Sequence, residues 1–212
     1  MIRVFITDDH SIVREGLRGI IEDCQDMIVC GEAAEGRVAL DWLRENDNCC
    51  DVVLLDISMP GMDGLEVLTE IKKNFPGVAV LILTMHSEEQ YALRVIRSGA
   101  SGYLNKGSSA DEMLLAIRNA AAGRKHIQNS LAEKMADALE NNNDGPLHNS
   151  LSDREFQVMI MLARGRKIKE IAMELTLSPK TISTYQSRVL DKMGLESTGD
   201  LLRYAIQNGL VS

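Results

Sequence analysis

The most constraining feature of this chain is where its short apolar runs end. Ile2 to Thr7 leads into Asp8-Asp9, Asp51 to Leu55 into Asp56, and Val78 to Leu83 into Thr84, while Ser101 to Leu104 is followed by Lys106. Short apolar runs bounded by turn signals read as buried parallel strands, and in open α/β sheets the working groups collect outside the carboxyl ends of the strands. Three carboxylates, one hydroxyl and one ammonium are thereby expected at one sheet edge. Adjacent carboxylates repel unless a cation sits among them, and a hard divalent ion with oxygen ligands, Mg²⁺ first, suits the cluster. The lysine and the hydroxyl opposite would clamp an anion.

The periodicity predicts strands near 2–7, 28–33, 51–55, 78–83 and 101–104, alternating with helices near 11–23, 36–45, 63–74, 88–98 and 109–121. Such a βα repeat makes a doubly wound parallel sheet covered on both faces. In the flavodoxin-like strand order, the first and third strands flank the topological switch point, and Asp8, Asp9 and Asp56 end those two strands.

After Gly123 the character changes. Residues 129–140 predict one further amphipathic helix, a connector, and Asn141 to Pro146 combines turn residues with a helix breaker and reads as a linker. From Leu151 onward the pattern is helical. Ser152-Asp153-Arg154-Glu155 fits a capping box opening a helix that ends near Arg164-Gly165, and a short helix from Ile168 to Leu175 follows. Ser178-Pro179 supplies an N-cap and a first-turn proline for a long helix that Gly194 stops after Met193, and a fourth helix runs from about Thr198 to Asn208. Two helices joined by a tight turn, the second longer, constitute a helix-turn-helix signal. The expected fold class is α/β plus all-α: a five-stranded unit over 1–122, a linker with a connector helix over 123–149, and a four-helix unit over 150–212.

The net charge of −8 conceals an asymmetry: residues 1–145 carry 14 Lys+Arg against 24 Asp+Glu, whereas residues 146–212 carry 9 against 7. Arg164 to Lys192 holds 7 basic and 3 acidic side chains, a local surplus that suits nucleic acid and also occurs on solvated helix faces. No apolar run approaches the roughly 20 residues of a membrane span, and Met1 leads into a strand without a signal segment, so the cytoplasm is the expected location. Cys24, Cys30, Cys49 and Cys50 form no C-x-x-C pair and read as reduced structural thiols. His10 and His86 lack ligand-like spacing, so neither supports a transition-metal site.

Asp8-Asp9, the stretch from Asp56 through Ser58, Pro60 and Gly64, Thr84, and Gly102-Tyr103-Leu104-Asn105-Lys106 resemble the receiver domain of bacterial two-component response regulators. The chain from Leu151 resembles the LuxR-type helix-turn-helix, so the whole looks like the NarL/FixJ group of transcriptional regulators, with Ser178 to Tyr185 nearest its GacA/UvrY branch. The resemblance implies that Asp56 accepts a phosphoryl group from a sensor histidine kinase. It implies that Asp8, Asp9, Asp56 and the Ser58 carbonyl hold Mg²⁺, and that Lys106 and Thr84 contact the phosphoryl oxygens. Tyr103 is the switch aromatic of such a site, and Ser58 and His86 occupy the positions that tune dephosphorylation. The only chemistry implied is phosphotransfer to the receiver itself and slow self-dephosphorylation.

In the second unit Ile182, Val189, Leu190 and Met193 are apolar at helical spacing and read as core, leaving Lys180, Thr181, Ser183, Thr184, Ser187 and Arg188 open. By resemblance Ser183, Thr184 and Ser187 face bases. Lys180, Thr181, Arg188 and Lys192 reach the phosphates of double-stranded promoter DNA, and Lys167 and Lys169 add to the basic surface. Relatives that carry lysine at the base-facing positions, or histidine where Tyr185 stands, differ from this chain. Leu201, Leu202, Ala205 and Ile206 form an apolar stripe suited to homodimerisation on activation, or to intradomain core; RNA polymerase is a further candidate partner. Two other readings remain: a phosphate-independent DNA-binding regulator, and an aspartate-nucleophile phosphohydrolase. The latter expects Asp-x-Asp, where Asp56 is followed by Ile57-Ser58.

Overall fold

The computed structural model describes residues 1–46, 48–57, 59, 61–62, 64–84, 94–127, 146–175 and 177–211. The chain divides into two compact units, Met1–Asp137 and Ala138–Ser212.

The first unit is a five-stranded, all-parallel sheet in the order β2-β1-β3-β4-β5. Its strands are β1 (Ile2–Thr7), β2 (Met27–Ala33), β3 (Val52–Asp56), β4 (Ala79–Thr84) and β5 (Gly102–Asn105). The helices between and after them are α1 (Ser11–Glu22), α2 (Gly36–Glu45), α3 (Gly64–Asn74) and α4 (Ala110–Ala121), with helical backbone also at 94–97. The strands begin and end within one residue of their expected positions. The rest of the helix expected over 88–98, the connector over 129–140 and most of the linker lie outside the described residues.

The buried alternation explains the layers. Val4, Ile6, Val52, Leu54, Leu81, Leu83 and Leu104 pack with Ile21 of α1 and Met113, Ala116, Ile117 and Ala120 of α4 on one face. With a strand period of two, Phe5, Val53, Leu55, Val80 and Ile82 leave on the other face, and all are fully buried. There the Phe5 and Trp42 rings pack with centroids 4.6 Å apart, joining β1 to α2. Each fully buried aliphatic side chain of this kind contributes about 1.5–3 kcal/mol. Burial of β1, β3 and β4 on both faces is why these strands read as continuous apolar runs.

One link was not foreseen. Beyond α4, Gly123 adopts φ 73°, and the His126 amide donates to the Ser101 carbonyl at 2.7 Å in a parallel bridge with Gly102. The edge of β5 is therefore partly covered by the chain that leads away from the unit.

The second unit opens with a 3₁₀ turn at Leu147–Ser150, also unforeseen, followed by α5 (Asp153–Ala163), α6 (Ile168–Glu174), α7 (Pro179–Met193) and α8 (Thr198–Gln207). The capping box at the start of α5 is complete: Ser152 Oγ accepts from the Glu155 amide, and Glu155 Oε2 accepts from the Ser152 amide at 2.7 Å. Ser178 Oγ caps α7 by accepting from the Thr181 amide, Pro179 occupies the first turn, and Gly194 closes the helix at φ 63°, a left-handed conformation that glycine adopts without strain. Ile182, Val189 and Met193 of α7 are buried, while Leu190 is half-buried. α7 packs on α5 and α6, and α8 on α5.

Candidate functional site

Parallel strands deliver their last residues to one edge, and here that edge collects the expected groups. Asp8 follows β1, Asp56 ends β3, Thr84 ends β4, and all three are buried. Lys106 follows β5, its backbone amide donating to the Thr84 carbonyl at 2.7 Å. Its ammonium reaches Asp8 Oδ2 at 2.6 Å and Asp56 Oδ2 at 2.9 Å. Burial alone would lower the lysine pKa, but the charges and hydrogen bonds of Asp56 and Asp8 outweigh it and hold the ammonium above the ordinary lysine range. The lysine is a fixed positive charge between two strand ends.

The approach of α3 sets the acid loop. The Gly64 amide donates to the Ile57 carbonyl at 3.2 Å, and a Cβ at Gly64 would stand 2.3 Å from the Asp56 carbonyl oxygen. Only a residue without a side chain lets the start of α3 lie against the carbonyl of Asp56.

On the other side, the His10 amide donates to Asp8 Oδ1 at 2.9 Å. The exposed His10 ring also reaches the acids: Nδ1 lies 3.3 Å from Asp8 Oδ1 and 2.9 Å from Asp9 Oδ1. One ligand atom each from Asp8, Asp9, His10 and Asp56 fall within 4.8 Å of one another. His10, expected to support no transition-metal site, stands beside these carboxylates because a turn directly after a strand brings adjacent side chains onto one point. Three carboxylates thus gather at one edge, two of them on the Lys106 ammonium and the third, Asp9, beside the His10 ring. This donor set fits a divalent cation.

Tyr103 lies half-buried on β5 and its hydroxyl is hydrogen-bonded with Thr84; burial pushes its pKa up to about 12, partly offset by that bond. Ser58 and His86 lie outside the described residues, so neither the carbonyl ligand nor the tuning positions are placed.

In the second unit the open face of α7 is as expected: Lys180, Thr184, Ser187 and Arg188 are exposed, and Thr181 and Ser183 half-exposed. Ser183, Thr184 and Ser187 each donate their hydroxyl proton to the carbonyl four residues back, at 3.0, 3.0 and 3.2 Å. Lys167 and Lys169 are exposed around the start of α6. The Lys192 ammonium, expected to reach phosphates, lies 2.7 Å from Glu155 Oε2 at the start of α5, with its side chain 44% exposed. The apolar stripe of α8 also splits: Leu201 and Ala205 are fully buried and belong to the core, whereas Leu202 and Ile206 are 41% and 56% exposed. A helix packed on one side buries positions four apart together and leaves their neighbours open.

A parallel sheet carrying this acid, hydroxyl and lysine edge, followed by a capped helix-turn-helix, defines a phosphorylation-receiver and DNA-binding class of protein. Residues 4–118 match the response regulator receiver domain, and residues 149–205 match the luxR family of bacterial regulatory proteins. The chain belongs to the two-component response regulators with a LuxR-type DNA-binding domain. It is 40% identical over 211 residues to the response regulator UvrY of Escherichia coli K12, covering 99% of this chain and 96% of that one. It is 36% identical over 213 residues to the response regulator GacA of Pseudomonas aeruginosa, covering 100% and 98%. Among solved structures, RcsB of Salmonella enterica serovar Typhimurium, bound to promoter rprA in the presence of phosphomimetic BeF3⁻, is 29% identical with a TM-score of 0.63, covering 96% of this chain and 98% of that one. No helix among the described residues is long and apolar enough to cross a membrane.

Proposed function

We propose that this response regulator takes its phosphoryl group on Asp56 from the phosphohistidine of a sensor kinase and, so loaded, binds promoter DNA as a homodimer. An Asp56 carboxylate oxygen forms the new bond to phosphorus as the bond to the histidine nitrogen breaks. The observation that carries the reading is the Lys106 ammonium, held against both Asp56 and Asp8 at the carboxyl edge of the sheet. Phosphoryl transfer asks a protein mainly for positioning and charge neutralisation. Lys106 is placed to pair with a phosphoryl oxygen, and Thr84, at the end of the neighbouring strand, to donate to another. Asp8, Asp9, Asp56 and the carbonyl of Ser58 would hold Mg²⁺, which when bound neutralises charge on the transferring group. Ser58 and His86 set the rate of the slow hydrolysis that resets the receiver.

Tyr103, hydrogen-bonded with Thr84, carries the change at the site to the surface of β5 and α4, a two-state element of the kind that phosphorylation biases. We assign residues 1–122 to the receiver, 123–149 to the linker and connector, and 150–212 to the DNA-binding domain. In the latter, Ser183, Thr184 and Ser187 face bases, Lys167, Lys169, Lys180, Thr181 and Arg188 grip phosphates, and Leu202 and Ile206 pair the two copies. The protein acts in the cytoplasm, with RNA polymerase as a further partner.

The test is the intact mass of the full chain after incubation with Mg²⁺ and a small acyl phosphate. Wild type should gain one phosphoryl group, which Asp56→Asn and chelation of Mg²⁺ should both prevent. Uptake by Asp56→Asn equal to wild type would place the acceptor elsewhere.

A further inference from the structure

Arg14 is the fourth residue of α1, beside the positive end of the helix dipole, where a cation gains nothing from the helix itself. Its side chain accounts for the placement. Arg14 Nη1 turns back six residues and donates to the Asp8 carbonyl at 2.7 Å. Glu32 of β2 steadies the guanidinium, with Oε2 3.6 Å from Arg14 Nε, and Arg18 pairs with the same carboxylate. The Arg14 and Glu32 side chains are each 19% exposed, so the link is largely shielded from water. The Asp8 amide meanwhile donates to the Ala33 carbonyl at 3.1 Å. Both backbone polar groups of Asp8 are thus held, and the carbonyl belongs to the planar peptide unit that leads to Asp9. Rotation of that unit would swing the Asp9 carboxylate away from Asp8.

We infer that Arg14 is a positioning residue of the cation site: it fixes the Asp8–Asp9 peptide, so that the two carboxylates stand ready to share Mg²⁺. This rests on the acidic cluster being a cation site, as proposed above. Groups that hydrogen-bond behind metal-binding residues typically change affinity about 10- to 100-fold when removed. Charge alone works the opposite way. A guanidinium hydrogen-bonded at Asp8 repels Mg²⁺, and removing it with no loss of positioning would tighten binding. The sign of the change therefore separates positioning from simple charge.

The experiment titrates the metal-free full chain with Mg²⁺ by calorimetry for wild type, Arg14→Met, Arg14→Lys and Arg18→Met, with urea unfolding to show that each variant is folded. Methionine keeps the apolar stem of the side chain and removes the donor. Arg14→Met should bind Mg²⁺ about tenfold more weakly. Arg14→Lys, which keeps a donor for the Asp8 carbonyl, should recover part of that loss. Arg18→Met, which leaves the Arg14 bond to Asp8 in place, should stay within about twofold of wild type. Phosphoryl uptake by Arg14→Met, followed by intact mass, should need correspondingly more Mg²⁺ and approach the wild-type rate once Mg²⁺ saturates. Unchanged or tighter Mg²⁺ binding by Arg14→Met would overturn the inference. An equal loss in Arg14→Lys, or an Arg14→Met chain that does not fold, would also overturn it, by making the residue a support of α1 alone. Failure of wild type to bind Mg²⁺ would overturn the cation site itself, and the role of Arg14 with it.

Discussion

Glu155 Oε2 takes the Lys192 ammonium at 2.7 Å, from a side chain only 4% exposed. The same oxygen accepts from the Ser152 amide, so one carboxylate closes the cap of α5 and anchors the last turn of α7. Burial alone would raise the Glu155 pKa, but Lys192 and the Ser152 amide and hydroxyl outweigh it and hold it below the ordinary value of 4.5. A carboxyl depressed in the folded state stabilises above its unfolded pKa, and this contribution fades as pH falls through the folded one. Lys192→Met should cost about 1 kcal/mol, the lysine being partly exposed. In urea unfolding, the deficit of Glu155→Gln at pH 7 should shrink as pH drops through and below 4.5.

The same ion pair sets Lys192 apart from the basic residues proposed to reach DNA. Lys180 and Arg188 are exposed on the open face of α7, and no ion pair is seen for them among the described residues. Each phosphate contact contributes about 0.9 to the salt dependence of binding. Lys180→Ala and Arg188→Ala should each lower the slope of log affinity against log salt by about that amount, measured by fluorescence anisotropy on promoter DNA. Lys192→Met should leave the slope as it is; a fall of about 0.9 there would show that the ammonium leaves Glu155 for the phosphates.

Lys106 offsets two buried carboxylates, and its removal leaves Asp8 and Asp56 facing each other. Truncating one partner of a buried ion pair costs about 3–5 kcal/mol, so Lys106→Ala should unfold the receiver at markedly lower urea in the absence of divalent ions. Saturating Mg²⁺ should stabilise the wild type, by about 2.7 kcal/mol at a hundredfold excess over Kd. Asp9→Asn should be the more stable protein without Mg²⁺, having lost a repelling charge, and should gain little when Mg²⁺ is added.

Tyr103→Phe removes the hydroxyl that bonds with Thr84 and keeps the ring. Phosphoryl uptake by intact mass should match the wild type. The gain in DNA affinity on phosphorylation, of the order of 5 to 150-fold for couplings of about 1–3 kcal/mol, should fall. An undiminished gain would assign Tyr103 to packing alone.

Much of this protein could be read before its structure. The five strands, the acid, hydroxyl and lysine at their ends, the Ser152 capping box, and the Ser178-Pro179 start and Gly194 stop of α7 all stand where the chain placed them. These features are local. A strand shows a period of two, a cap needs three or four residues, and a parallel sheet sends every strand end to the same side. What stayed hidden depends on which surfaces meet. Lys192 finds Glu155 across 37 positions because α7 packs on α5, and the pattern that buries Leu201 and Ala205 while opening Leu202 and Ile206 follows from the side on which α8 lies. The turn after β1 brings the ring of His10 onto Asp8 and Asp9, a placement that no spacing rule contains. Sequence alone determined which chemical groups share an edge. Tertiary packing decided which charges are already spent on one another, because an ion pair forms where helices cross and not where residues are neighbours in the chain.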